Sequence, residues 1–191
     1  MNDESNPYAP PQVEESFVPE ASSSSREGIP YFTVSITKLA VLSVMTFGLY
    51  EFYWMYKQWK AIRDHDGAYL SPFWRAFFSL FFVHKLFDDI RRRSYLADLQ
   101  GNIPAGFMAV IYIVCALLGR IGDKADSNVL WLCSFLTVLP LTVMQSAVNR
   151  YVRHCDKNAP MNENISAWNM LAILLGGGVW ALVLYGLTNP E

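Results

Sequence analysis

The fold is decided by residues 101–149, which read GNIPAGFMAVIYIVCALLGRIGDKADSNVLWLCSFLTVLPLTVMQSAVN. Residues 101–119 and 127–149 carry no charged side chain, and the charges between them are confined to the loop 120–126. A helix needs about 20 apolar residues to cross the hydrocarbon core of a bilayer. The stretch therefore predicts two transmembrane helices joined by a tight polar hairpin.

A third uncharged segment, residues 165–190, is also long enough to span a bilayer, and the composition of the whole chain agrees with a membrane protein. Of the 191 residues, 52% are hydrophobic and 17% are charged, whereas a soluble domain carries about 25% charged residues. Aromatic residues, which collect where lipid meets water, make up 15% of the chain. The net charge of −2 gives no sign of the basic surface that nucleic-acid binding requires.

The first apolar segment, residues 32–54, is less regular. Its uncharged part, residues 39–50, is short for a span, and Lys38 and Glu51 stand at its two ends. It reaches the required length if Lys38 extends to one interface and Glu51 lies at the other. We therefore predict a span here, with Gly48 at a bend or at the helix end.

Residues 73–94 are rich in phenylalanine, and Ser71-Pro72 before them is a helix-start signal. The uncharged core of this segment, residues 76–83, is too short to span, and its basic residues gather on one side of a helix. Such a helix is typical of the membrane surface, although a fifth span is the alternative. Three residues at its end are predicted to contact anionic lipid headgroups: Arg91, Arg92 and Arg93.

The predicted fold is an all-α membrane protein of four transmembrane helices plus one amphipathic interfacial helix, or five spans. Residues 1–30 are predicted to be a disordered acidic tail and residues 31–191 a membrane helical domain, because the tail has few apolar groups. With four spans, one side holds eleven of the 15 Lys and Arg, and basic loops face the cytoplasm. The eleven are Lys57, Lys60, Arg63, Arg75, Lys85, Arg91, Arg92, Arg93, Arg150, Arg153 and Lys157; Arg26, Lys38, Arg120 and Lys124 are the rest.

Polar residues inside the apolar segments are the candidates for function. A carboxylate within a span is costly and often functional, so Glu51 is either such a group or an interfacial acid paired with a neighbour. Gln145, Asn149 and Arg153 are spaced four residues apart and form one stripe. That stripe predicts hydrogen bonds to a neighbouring helix or the wall of a polar pocket.

Small residues mark the last segment. Glycines and alanines at helical spacing let helix backbones approach closely, whereas a break that exposes carbonyls to a ligand is the alternative. The predicted helix-packing residues are Ala172, Gly176, Gly177, Gly178 and Ala181.

We find no sequence pattern of a catalytic, cofactor or metal site, so we predict no enzyme activity and no cofactor. Cys115, Cys133 and Cys155 are far apart and form no CxxC pair. His154, Cys155 and Asp156 are adjacent and do not converge on one side of an element.

The stretch TFGLYEFYW at 46–54 resembles the T-x-G-[LI]-Y-x-x-Y-W signature of a family of small uncharacterised bacterial multi-pass membrane proteins, grouped under a domain of unknown function. The following Lys57 and Trp59, and SPFWR at 71–75, are similar to its members. The chain departs from the short family pattern in its acidic tail and its last apolar segment.

The resemblance implies a bacterial inner (cytoplasmic) membrane location and names no chemistry. We expect a non-enzymatic protein that acts through contacts with lipids, a membrane protein partner or a second copy. The alternative is a small transporter or channel subunit.

Overall fold

The computed structural model describes residues 29–97, 99, 104–125 and 128–188, and all regular structure in these ranges is helical. The predicted all-α class is confirmed. The predicted tail lies outside the described residues except for Ile29 and Pro30, which pack against the core. The helices are Ile36–Met45 (α1), Leu49–Asp66 (α2), Pro72–Phe77 (α3), Ser79–Leu96 (α4), Ala105–Lys124 (α5), Asn128–Leu132 (α6), Val138–Cys155 (α7) and Ala167–Thr188 (α8), with a 3₁₀ segment, Cys133–Thr137, between α6 and α7.

Three helical stretches are long and apolar enough to cross a membrane: Ala105–Gly122, Leu130–Cys155 and Ala167–Gly186. They correspond to the three uncharged segments of the sequence. The second runs from α6 through the 3₁₀ segment into α7, and the change from 3₁₀ to α geometry falls just before Pro140. The predicted count of four spans is not reached in the described part of the chain.

The predicted first span, residues 32–54, is wrong, because the chain reverses within it. α1 has 10 residues, about 15 Å of helix, or half the hydrocarbon thickness of about 30 Å. After a turn at residues 46–48, α2 runs back beside the start of the segment. The amide of Gln58 in α2 therefore bonds Phe32 twice, accepting from its N–H at 3.1 Å and donating to its carbonyl at 2.9 Å. We call α1, this turn and α2 the helical hairpin.

The helical hairpin enters the bundle from the end where α7 finishes and α8 starts. Lys38 Nζ donates to the Asn164 carbonyl at 2.7 Å, and the Thr33 hydroxyl donates to the Pro160 carbonyl at 2.8 Å. At the other end of α1, the indole of Trp180 in α8 donates to the Val44 carbonyl at 3.1 Å. Since Trp180 lies near the middle of the 22-residue α8, the tip of the hairpin reaches about half-way along that helix.

Lys38 therefore lies beside residues 150–164, which are the last turn of α7 and part of the loop after it and which we call the basic loop 150–164. This is opposite to the side predicted for Lys38. The chain leaves the described structure towards its N-terminal tail at this same end. Neither the four-span nor the five-span prediction has this path, because both carry the chain across the membrane between Lys38 and Lys57.

The Phe-rich segment 73–94, predicted as one helix, is broken at Phe78 into α3 and α4. One face of α4 is completely buried and packs against α5 and α7, so this helix is part of the bundle. Its last turn meets the end of α2 through an Arg93–Asp66 ion pair. The buried face of α4 consists of Val83, Leu86, Phe87 and Ile90.

Candidate functional site

The turn at the tip of the helical hairpin decides where Glu51 is placed. Gly48 has φ 84° and Phe47 has φ 52°, a left-handed conformation that glycine adopts readily and a bulky residue rarely. The Thr46 hydroxyl donates to the Leu42 carbonyl at 2.6 Å and accepts from the Tyr50 N–H at 2.9 Å. One side chain thus serves the end of α1 and the start of α2, and Glu51 falls in the first turn of α2.

Glu51 is buried at 7% exposure, in contact with the 3₁₀ segment. Its Oε1 lies 2.8 Å from the Thr137 hydroxyl, which is also 2.6 Å from the Ser134 carbonyl. A threonine hydroxyl has one hydrogen, so it donates to only one of these two oxygens. When it donates to Glu51, Oε1 is the acceptor, as an ionised carboxylate requires; when it donates to Ser134, it can accept the hydrogen of a protonated Glu51. The pair therefore accommodates both protonation states of Glu51.

Glu51 and Thr137 lie on the wall of a cavity of about 390 Å³ below the hairpin tip, within the range of about 300–1,000 Å³ typical of ligand pockets. Tyr112, Ala116, Gly119 and Arg120 of α5 extend the wall over two turns. The remaining lining residues come from the turn, from α4, and from α6 and the 3₁₀ segment: Phe47, Gly48, Ser79, Leu80, Trp131, Ser134 and Phe135.

Close packing of α5 against α6 and the 3₁₀ segment shapes this part of the bundle. A Cβ atom at Gly119 would collide with the side chain of Ser134, and one at Gly122 would collide with the Trp131 backbone. Both collisions require glycine at these positions. The cavity therefore lies in the half of the bundle nearer the α5–α6 loop, away from the basic loop 150–164.

Gln145 and Asn149, two of the three residues in the predicted polar stripe, lie in a buried network nearer the other end. Gln145 Oε1 accepts from the indole of Trp54 and, at 3.1 Å, from Gln58; its amide donates to Asn149 at 2.7 Å. Asn149 in turn donates to the Val34 carbonyl at 2.9 Å. These bonds join α7 to α2 and to the extended backbone before α1. Arg153 lies exposed at the end of α7, outside the network.

Arg91, Arg92 and Arg93 are paired with aspartates in the structure. Arg91 bonds Asp88 at 2.6 Å, and both Arg92 and Arg93 bond Asp89, at 3.0 and 2.9 Å. Partial burial favours a raised pKa for Asp66, but hydrogen bonds from His65 and Arg93 outweigh it and hold that pKa below its usual value. The arginine cluster thus carries compensating negative charge, and its contact with anionic lipid stays a prediction.

Among the small residues of α8, the close approach inside the chain is at Gly176. A Cβ atom there would collide with the Met45 carbonyl at the hairpin tip, whereas one at Gly177 or Gly178 meets nothing within 4 Å. On the same helix, Ala172 is half-buried and Ala181 is exposed. Packing of Gly177 and Gly178 against another chain stays a prediction.

The sequence singled out Glu51 but missed the residues around it. Thr137, Tyr112 and Ser79 stand within apolar or aromatic runs and have no spacing that links them to Glu51. Arg120 carried a signal as a charge at the end of an apolar run, but it reads as a loop residue. Its Nη1 instead donates to the Ala116 carbonyl at 3.2 Å, and its side chain lines the cavity.

These features define a class: a small all-α membrane protein with a helical hairpin that enters its bundle from one end and a polar cavity below the tip of that hairpin. More particularly, the chain belongs to the family described as a domain of unknown function, DUF4234, which matches residues 34–188. The family resemblance of the sequence is thereby confirmed. Comparison with curated proteins and with solved structures found no match.

Proposed function

We propose that this protein is a non-enzymatic membrane protein that binds a small polar ligand in the cavity below the hairpin tip, as a small transporter or channel subunit does. The observation that carries the proposal is the buried Glu51 carboxyl group on the cavity wall, bonded to Thr137. Burying an ionisable group among apolar helices is costly, and proteins retain such groups mainly where they act.

The backbone around the cavity supports this function. Non-helical backbone at membrane depth is tolerated where it is buried in protein or lines a cavity. Residues 46–48 do both, since the turn packs against α8 and contributes Phe47 and Gly48 to the cavity. Helices broken near the middle of the membrane are the usual site of ligand binding in transporters.

A non-enzymatic role is favoured by the chemistry of the Glu51–Thr137 pair. The Thr137 hydroxyl is held between Glu51 and the Ser134 carbonyl, and among the described residues no third side chain bonds Glu51 to orient it as a catalytic base. The pair can exchange a proton and bind a polar group, which is sufficient for a ligand site.

The location we propose is the bacterial inner membrane, with loop 150–164 on the cytoplasmic side. The supporting observation is the concentration of basic residues at that end of the bundle, which now includes Lys38. The cavity then lies in the half of the bundle nearer the outer face.

Cysteine accessibility tests whether the cavity admits water and solutes. In a variant lacking Cys115, Cys133 and Cys155, we expect Ser134→Cys to react with a hydrophilic methanethiosulfonate reagent added to the outer face. Ser146→Cys is the matched control, because Ser146 is a serine further along the same span and lies outside the cavity. Equal and negligible labelling of the two positions would refute a solvent-accessible cavity.

A second function, contact with a membrane partner or another copy, is favoured by α8. Only 6% of its spanning window is buried inside the chain, and Gly177 and Gly178 present an open backbone. Crosslinking of a Gly178→Cys variant in native membranes tests it: a crosslinked band of higher mass supports a protein contact, and its absence leaves lipid as the neighbour of this face.

A further inference from the structure

The cavity contains two charged groups of opposite sign that do not satisfy one another. The Glu51 carboxyl group bonds the Thr137 hydroxyl, and the Arg120 guanidinium bonds the Ala116 carbonyl. In the described part of the chain, no ion pair joins them. Thr137 and Ala116 are neutral partners, and each forms one bond to its charged group. The carboxyl group of Glu51 and the guanidinium of Arg120 therefore retain hydrogen-bonding capacity towards the cavity.

The wall beside these charges is aromatic. Phe47, Trp131 and Phe135 line the cavity with Glu51, and their ring centroids lie 5.3 to 6.5 Å from one another. Aromatic ring faces attract ammonium groups by their quadrupole, most strongly in the case of Trp. A cavity lined by a carboxyl group and three aromatic rings is therefore suited to an organic ammonium group better than to a hydrated metal ion.

We infer that the ligand of this cavity is a short zwitterion, with its ammonium group at Glu51 and the aromatic wall and its anionic group at Arg120. A simple cation would face the like charge of Arg120, an exposed residue of the wall, and a simple anion would face the carboxyl group of Glu51. A molecule with both charges satisfies both groups at once. The inference rests on the proposed function, because it names the class of ligand for the same cavity.

Two sources share this chemistry. One is a free amino acid or amino-phosphate, and the other is the phosphoethanolamine headgroup of a lipid. Tyr112 and Ser79 also line the cavity, where their hydroxyl groups bond one another, and the pair retains hydrogen-bonding capacity for a polar group of either ligand.

The test measures binding of defined probes to the purified full chain in phosphatidylglycerol nanodiscs by isothermal titration calorimetry. The zwitterionic probes are phosphoethanolamine and β-alanine; the probes with one charge are ethylammonium and inorganic phosphate. We expect a zwitterion to bind at least about tenfold more tightly than either single-charge probe, since a hydrogen bond to a charged group changes affinity by that factor or more.

Glu51→Gln and Arg120→Gln should each weaken zwitterion binding about tenfold or more, because each removes one charge while keeping a polar side chain. Lys124→Gln is the matched control, because Lys124 is an exposed basic residue on the same helix and does not line the cavity. Phosphatidylethanolamine in the nanodisc should compete with phosphoethanolamine if the headgroup is the ligand, and should leave its affinity unchanged if the ligand is free.

Two results would overturn the inference: binding of ethylammonium or phosphate as tight as that of the zwitterions, or no binding of either zwitterion. If Ser134→Cys is still labelled in those cases, the cavity and the proposed function stand and only the ligand class is wrong. If that cysteine is also inaccessible, both fail. Retention of thermal stability in Glu51→Gln and Arg120→Gln shows that lost binding is not lost folding.

Discussion

Substituting alanine for Gly176 and, separately, for Gly177 measures how closely α8 packs on the hairpin tip. The two glycines are neighbours in the same helix, so both substitutions remove the same helix penalty of glycine, about 1 kcal/mol. They differ in what the new methyl group meets. At Gly176 it collides with the carbonyl of Met45, and at Gly177 it meets nothing within 4 Å.

The expected free energies of unfolding follow from these two terms. Gly177→Ala should stabilise the protein by about 0.5–1 kcal/mol through helix propensity alone. At Gly176 the same gain is opposed by an overpacking cost of about 1–3 kcal/mol. The upper part of that range applies, because the opposing atom belongs to the backbone and cannot change rotamer. Gly176→Ala should therefore be less stable than Gly177→Ala by about 2–3 kcal/mol.

The assay is unfolding in mixed micelles titrated with sodium dodecyl sulfate and followed by far-ultraviolet circular dichroism, with thermal melting as an independent measurement. Both variants are single methyl additions on one helix, so differences in detergent binding are small. Equal stability of the two variants, or a more stable Gly176→Ala, would refute the close contact between α8 and the hairpin tip.

Three further outcomes are expected. Gln145→Leu should destabilise the protein by about 2–3 kcal/mol, because two buried donors lose their acceptor; Thr142→Val, at a half-buried site of the same helix outside the network, is the control in the same titration. Lys38→Met should increase protease cleavage in the loop 156–166, because the ammonium group holds Asn162 and Asn164 through 3.0 and 2.7 Å bonds; unchanged cleavage would contradict it. In a variant lacking native cysteines, an impermeant reagent added outside should label Lys124→Cys and spare Asn158→Cys, and the reverse pattern would invert the orientation.

The three long spans were predictable from the sequence because hydrophobic length is a local property. The predicted segment 165–190 became Ala167–Thr188, and the predicted segment 101–119 became the greater part of Ala105–Lys124. Helix α5 extends beyond the uncharged residues to Lys124, since charged side chains at a helix end can reach water without ending the helix.

The helical hairpin was not predictable in the same way. Hydropathy records how many apolar residues follow one another but not whether the chain turns among them. The hydropathy of this segment is the same for one span with charged residues at its end as for a short helix, a reversal at Gly48 and a second helix. The sequence did mark Gly48 as a bend. The direction of the bend depends on Gln58 meeting Phe32 and Trp180 meeting Val44, contacts 26 and 136 residues apart.

The candidate site was predictable to the extent of a single residue. Glu51 is conspicuous in the sequence because it is an acid beside an apolar run. Burying a carboxylate in a membrane span costs free energy, which by itself marks the residue as a candidate. Its partner Thr137 is 86 residues away and has no charge to draw attention to it. Tertiary structure alone brings the acid, the hydroxyl group and Arg120 to one cavity.

The same contacts show how α8 supports the hairpin tip, although none of its described residues lines the cavity. A helix that ends inside a membrane leaves carbonyl groups without water to bond. Three carbonyls of α1 accept from the N–H groups of Thr46, Phe47 and Gly48. The one that accepts from Phe47, that of Val44, accepts a second bond from the indole of Trp180 in α8, and the Phe47 ring stacks on the Trp180 ring at 5.2 Å.

α8 thus covers the tip and packs, through Trp180, against three residues of the cavity wall, Phe47, Trp131 and Phe135. The family match begins two residues before α1 and ends with the last residue of α8. It therefore includes both the hairpin and the helix that supports it. This is the arrangement expected if the buried carboxyl group, rather than the apolar helices alone, is what the fold is built to position.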